Sequence, residues 1–283
     1  EDNNNGTVSV TTTGVEDGQT VTITLNGETY TNTTSTNAST VTIPAAKLQA
    51  LSNGSSYTMT ADVSDAAGNA ATQVTSSSFS VDTTAPSISA IATTAFSWGA
   101  YLNATEDNNN GTVSVTTTGV EDGQTVTITL NGQTYTNTTD TNSTTVTITA
   151  VALQNLSEGS VTMTADVSDA AGNAATQVTS SAFTYDKTAP TVSSFAMSDT
   201  ALKSGETATV TLVFSEAVTA FANADITVVN GSLSTMTSSD NITWTGTYTP
   251  TADVEDTTNV LTLATTYTDL AGNAGAAGQT ANF

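Results

Sequence analysis

Along much of the chain, apolar and polar residues alternate with a period of two. TVTITL at Thr20–Leu25 and again at Thr125–Leu130, TVSVT at Thr112–Thr116, TVTIT at Thr145–Thr149 and VTMTADV at Val161–Val167 set Val, Ile, Leu or Met against Thr. A strand with one buried face needs that alternation, so these runs predict short antiparallel strands with threonine facing solvent. Asn-Gly pairs at Asn26-Gly27, Asn131-Gly132 and Asn230-Gly231 predict tight turns. Only Pro44–Leu51 and Ala150–Leu156 have a helical look, about one turn each. Many short strands separated by turn signals predict a two-sheet sandwich. A solenoid needs a short repeat that is absent here.

The repeat that is present is long. EDNNNGTVSVTTTGVEDGQTVTITLNG begins at Glu1 and recurs from Glu106. Near Leu51 and Leu156 the register slips by one residue, so Met59 aligns with Met163, Asp65 with Asp169 and Pro86 with Pro190. A diverged third unit follows Pro190 and ends in TDLAGN (Thr268–Asn273), against SDAAGN at Ser64–Asn69 and Ser168–Asn173. The expected domains are 1–82, 83–186 and 187–283. Unit two opens with SISAIATTAFSWGAYLNAT (Ser87–Thr105), which has no counterpart in unit one. Unit three stops at Phe283, where the earlier units run on from Phe79 and Phe183 into VDTTAP and YDKTAP. The chain is therefore expected to be a piece of a longer array that continues in both directions. Unit one is expected to lack its first strand, leaving an edge exposed unless another chain supplies one.

GTVSVTTTGVEDGQTVTITLNG, VSDAAGN and FSVDTTAP resemble the bacterial Ig-like repeats of giant surface adhesins exported by type I secretion. ETATVTLVFSEAV, ADITVVNGSL, TWTGTYTP and TDLAGNAG in unit three resemble a second Ig-like type found in the same proteins. The resemblance covers nearly the whole chain. It implies an all-β fold of tandem Ig-like sandwiches in a linear rod, display on the bacterial cell surface, and calcium ions stiffening the junctions. It implies no shared ligand, because ligands usually belong to separate domains.

Composition narrows the chemistry. Asp and Glu number 26 against three lysines (Lys47, Lys187 and Lys203), giving a net charge of −23 with no histidine or cysteine. Thiol nucleophiles, Ser-His-Asp triads, zinc sites and disulfides are thereby excluded, and no basic footprint for nucleic acid exists. No apolar run is long enough to span a membrane. Acid pairs alone can hydrolyse glycosides, but no unit carries an insertion that would form a cleft, so no enzyme is expected. What remains is hard-cation chemistry.

In an Ig-like sandwich the GVEDGQ and SDAAGN loops lie at the pole where the chain enters. That placement brings Asp82 of the linker towards Glu121, Asp122 and Asp169, and Asp186 towards Glu216 and Asp269. Unit one repeats the pole with Glu16, Asp17 and Asp65. Converging carboxylates without a basic partner suit Ca²⁺, which takes six to eight oxygens. Each motif has a plainer reading: the Asp of the AGN loops closes an Asx turn, and the linker and Glu-Asp acids are solvated. Glu106-Asp107, in a loop at the exit pole, is expected to be solvated, as are Asp62 and Asp166. Trp98, Tyr101 and Trp244 are expected to pack in the core or at its edge. The expected role is a spacer in a long extracellular adhesin or filament, whose partners are adjacent domains and neighbouring chains in a filament or biofilm matrix. The rival is a module that binds glycans, ice or other chains through Thr/Asn-rich or aromatic surfaces.

Overall fold

The computed structural model describes residues 3–283; Glu1 and Asp2, where the first repeat opens, lie outside them. Three separate hydrophobic cores run along the chain. Unit one packs around Val21, Ile23, Leu25, Val41 and Ile43. Unit two packs around Val113, Val126, Ile128, Val146 and Phe183, and unit three around Val210, Leu212, Phe214, Tyr248 and Tyr267.

Unit two shows how the alternating pattern becomes a sandwich. One sheet joins Ser87–Ile88, Gly111–Thr118 and Ser143–Ile148, all antiparallel. The facing sheet orders Gln133–Thr138, Thr125–Leu130, Thr164–Asp166 and Val178–Thr179. The last two segments continue as Gly159–Val161 and Phe183–Tyr185, and Tyr101–Leu102 joins the latter in parallel. Thr125–Leu130 buries Val126, Ile128 and Leu130 while Thr125 faces solvent, as period-two alternation dictates.

Unit one repeats the hairpin, with Thr20–Leu25 between Glu28–Thr33 and Met59–Val63. Unit three builds a four-stranded sheet in the order Val192–Met197, Ala208–Phe214, Thr243–Pro250, Gly231–Leu233. Helix is confined to single turns, including Ala45–Gln49 and Ala150–Gln154.

The Asn-Gly signals divide. Asn26 and Gly27, at φ 51° and 79°, close the first hairpin, and Asn131 and Gly132, at 49° and 75°, close its repeat. Asn230-Gly231 closes no hairpin: Ile226–Thr227 before it and Gly231–Leu233 after it belong to different sheets. Gly231 is small for another reason. A Cβ there would sit 2.4 Å from the Tyr248 ring, whose hydroxyl donates to the carbonyl oxygens of Val229 and Asn230.

Candidate cation site at the domain junctions

The AGN loops are built by local hydrogen bonds. In unit two, Asp169 Oδ1 accepts from the Asn173 amide at 2.8 Å and Oδ2 from the Asn173 side chain at 2.9 Å. Burial alone would raise the Asp169 pKa. The bonds from Asn173 and from the amides of Gly172 and Ala171 outweigh burial and hold it below the usual carboxylate range. Asp65 and Asp269 make the same pair of contacts with Asn69 and Asn273. The Asx-turn reading therefore describes all three loops, and a carboxylate that closes its own loop keeps free lone pairs for a further partner.

The same asparagine also reaches across each junction. Asn173 Nδ2 donates to the Asp82 carbonyl at 3.1 Å, and Asn273 Nδ2 to the Asp186 carbonyl at 2.9 Å. The second junction has a further seam: Asn103 Nδ2 donates to the Ala271 carbonyl at 2.9 Å, and the Ala104 amide donates to Asn273 Oδ1 at 3.0 Å. The loop between Leu102 and Glu106, at the exit pole of unit two, thus packs on the entry pole of unit three.

The acidic side chains divide by role. Glu121 Oε2 accepts from the Ala170 amide at 2.8 Å, clamping the AGN loop, and Glu16 does the same to Ala66 at 2.9 Å. Asp122 and Asp17 accept from the amides of Thr141 and Thr36, each at 2.7 Å. Those threonines hold φ 49° and 50°, so the aspartates stabilise a strained turn. Asp82 is exposed and accepts from its own Thr84 amide.

At the second junction the acids converge. Asp186 of the linker, Glu216 after the Ala208–Phe214 strand and Asp269 on Thr268–Asp269 bring one carboxylate oxygen each within 4.8 Å of one another. Asp269 is 2% exposed, and the other two are half-buried. Burial pushes the Asp186 pKa up, reinforced by the charges of Asp269 and Glu158, while an amide bond from Thr188 opposes the rise. Burial also raises Glu216, reinforced by Asp186, Asp269 and Glu158. The neighbouring Lys187 ammonium lies over the Tyr185 ring, 5.8 Å from its centroid. Among the described residues this is the one group of three acids close enough to share an ion.

Two acids fall outside that pattern. Asp107, expected to be solvated, is only 5% exposed and accepts from the Tyr185 hydroxyl at 2.7 Å. The sequence signal for this pair is faint: Tyr185 aligns with Val81, so the pair cannot recur in unit one. Glu158, which the sequence reading passed over, accepts from the Thr188 hydroxyl and the Lys187 amide and tightens the same linker. Asp62 and Asp166 each bind the side-chain amide of a neighbouring glutamine at the surface. Trp98 is buried in the core of unit two, and Trp244 packs against that of unit three.

Residues 186–283 match the family described as bacterial Ig-like domain. No curated protein matches the chain. Among solved structures, a Ca²⁺-stabilized adhesin that helps an Antarctic bacterium reach out and bind ice is 26% identical, over 99% of this chain and 68% of its own, with a TM-score of 0.45. A structure concerning host cell surface retention of a 1.5-MDa bacterial ice-binding adhesin is 21% identical, over 100% and 92%, at 0.41. A bacterial immunoglobulin-like domain from the M. primoryensis ice-binding adhesin is 29% identical, over 35% of this chain and 93% of its own, at 0.24. The match to a bacterial Ig-like domain is thus confined to the third unit, and the described chain is an all-β array of antiparallel sheets around three cores.

Proposed function

We propose that residues 1–82, 83–186 and 187–283 are three spacer domains of an extracellular bacterial adhesin, and that Ca²⁺ stiffens the joints between them. The observation that carries this reading is the Asp186–Glu216–Asp269 group, which spans the linker and two loops of the next domain. The donor set is all oxygen, partly desolvated and mutually repelling, and a hard divalent cation relieves that repulsion. Asp186 would hold the ion from the linker, and Glu216 and Asp269 from unit three. Near-identical units support a spacer, since repetition serves length better than it serves a unique site.

The assignment extends to Asp82, Glu121, Asp122 and Asp169 at the first junction, and to Glu16, Asp17 and Asp65 at the entry pole of unit one. Among the described residues no three of these carboxylates converge as Asp186, Glu216 and Asp269 do, so these sites are the weaker ones. Isothermal titration of the metal-free chain with CaCl₂ tests the order. The tightest event is expected to vanish in Glu216→Gln and to survive in Glu121→Gln. Calcium binding unaffected by Glu216→Gln would refute the assignment.

A further inference from the structure

Six asparagines in this chain stand directly before a glycine: Asn5, Asn26, Asn53, Asn110, Asn131 and Asn230. The pair is chemically reactive. A glycine amide nitrogen, with no side chain beside it, can approach the carboxamide carbon of the preceding asparagine and close a five-membered ring. In a folded chain the reaction depends on what holds the carboxamide and what holds the amide. Exposure alone does not separate the six, because all but Asn230 are exposed.

Hydrogen bonds do separate them. Asn5 and Asn110 each accept at Oδ1 from the amides of Ala45 and Ala150, at 3.0 and 2.9 Å, which ties their carboxamides to the start of a helical turn. Asn53 Oδ1 accepts from the Thr83 amide at 2.8 Å, and its Nδ2 donates to Thr84 Oγ1 at 2.6 Å. The Gly54 amide, the would-be nucleophile, donates to the Val81 carbonyl at 2.8 Å. Asn230 Nδ2 donates to Asp256 Oδ2 at 2.9 Å and to Asn259 Oδ1 at 2.8 Å, and Gly231 is pressed against the Tyr248 ring. Asn26 and Asn131 stand apart. Each sits at a hairpin tip, outside the ladder that pairs Leu25 with Glu28 or Leu130 with Gln133. Among the described residues, neither side chain has a hydrogen-bond partner, and the Gly27 and Gly132 amides have no backbone acceptor.

We propose that Asn26 and Asn131 are sites of spontaneous conversion to aspartate and isoaspartate, and that the other four asparagines are protected by their hydrogen bonds. The Gly132 nitrogen attacks Asn131 Cγ. A bond between them forms, the Cγ–Nδ2 bond breaks, and Nδ2 leaves as ammonia with the proton of the glycine amide. Water then opens the cyclic imide. Cleavage of the new bond gives aspartate, and cleavage of the original main-chain bond gives isoaspartate. Gly27 and Asn26 react in the same way. Either product adds a negative charge at each tip of a chain whose net charge is already −23. At Asn26 the new charge lies beside Glu28, which Lys47 holds at 2.6 Å, whereas unit two has Gln133 and Ala152 at those places. Isoaspartate also lengthens the main chain of the turn, which works against the two-residue tip that sets the register of the hairpin.

The test incubates the full chain in mildly alkaline buffer, folded and in guanidinium chloride. Samples are digested with pepsin in acid, and the peptides are mapped by mass spectrometry. In the folded chain, Asn26 and Asn131 should convert at least tenfold faster than Asn5, Asn53, Asn110 and Asn230. In guanidinium chloride all six should convert at similar rates, because the same dipeptide is then freed everywhere. Asn131→Gln should abolish the product at that tip and leave conversion at Asn26 unchanged, with circular dichroism showing the fold intact. Equal rates at all six in the folded chain, or faster conversion at Asn53 or Asn230, would overturn the proposal. So would a folded chain in which Asn26 and Asn131 are as inert as the rest, since the hairpin itself would then be the protection.

Discussion

The side-chain amide of Asn273 lies 2.9 Å from the carbonyl oxygen of Asp186, so one residue of the AGN loop in unit three is bonded directly to the incoming linker. The same amide is held by Asp269 at 2.8 Å, which fixes the donor before the linker arrives. Loop closure and domain attachment are thus one hydrogen-bond network.

Asn273→Ala should therefore weaken both. Asp269 Oδ1 keeps the backbone amides of residues 272 and 273, but the buried Oδ2 loses its donor, at a cost of about 1–3 kcal/mol. For a domain of this size the melting transition of unit three should fall by roughly 4–8 °C per kcal/mol. Differential scanning calorimetry checks this, and Asn173→Ala should affect unit two in the same direction.

Asp107 and Tyr185 make a prediction confined to unit two. Burial, then the bond to Asp107, pushes the Tyr185 phenol far above the ordinary tyrosine range, so it stays protonated and donates. Asp107→Ala strands a buried hydroxyl and should cost about 1–3 kcal/mol in urea unfolding. Asp107→Asn keeps an acceptor and should cost less. An Asp107→Ala protein of unchanged stability would show that the pair contributes nothing to the core.

These particulars show what the sequence could carry. The period-two runs placed the strands, the repeat placed the AGN loops, and threonine alternation told inside from outside. Asp107 was hidden because its partner arrives from a distant strand and its type differs between the repeats. The role of Asn230-Gly231 was hidden because the close approach of Tyr248, not a turn, demands the glycine. In the sequence Glu121 and Glu216 are alike candidate cation ligands beside a linker. Only coordinates separate the one that clamps an amide from the one that faces two other acids.

Two equivalent glycines should respond differently to one methyl group. Gly111→Ala forces a contact with the Trp98 ring and should destabilise unit two by about 1–3 kcal/mol through overpacking. Gly6→Ala meets only the flexible end of Leu48, at 3.0 Å, and should be nearly neutral. Chemical denaturation of the two variants side by side decides it, and equal losses would contradict the arrangement of the Trp98 segment.

Calcium should also act on stability. An ion bound only by the folded array raises stability with the logarithm of its free concentration. In a calcium titration followed by thermal melting, unit three should gain most, and Glu216→Gln should flatten its response. A uniform gain across all three units would place the ions elsewhere.

The central claim is mechanical, and small-angle X-ray scattering tests it most directly. The longest strands have eight residues, so with loops at both poles a domain is about 40 Å long, and three in line approach roughly 120 Å. Pro86 and Pro190 already restrict each linker, and an ion held by Asp186, Glu216 and Asp269 would remove the remaining freedom at the second joint. In millimolar calcium the maximum dimension should approach that of a straight rod. With chelator the distance distribution should broaden and shorten, and a variant combining Asp186→Asn with Glu216→Gln should match the chelated profile even with calcium present. A profile identical with and without calcium would mean that packing and the Asn273 bonds alone hold the joint.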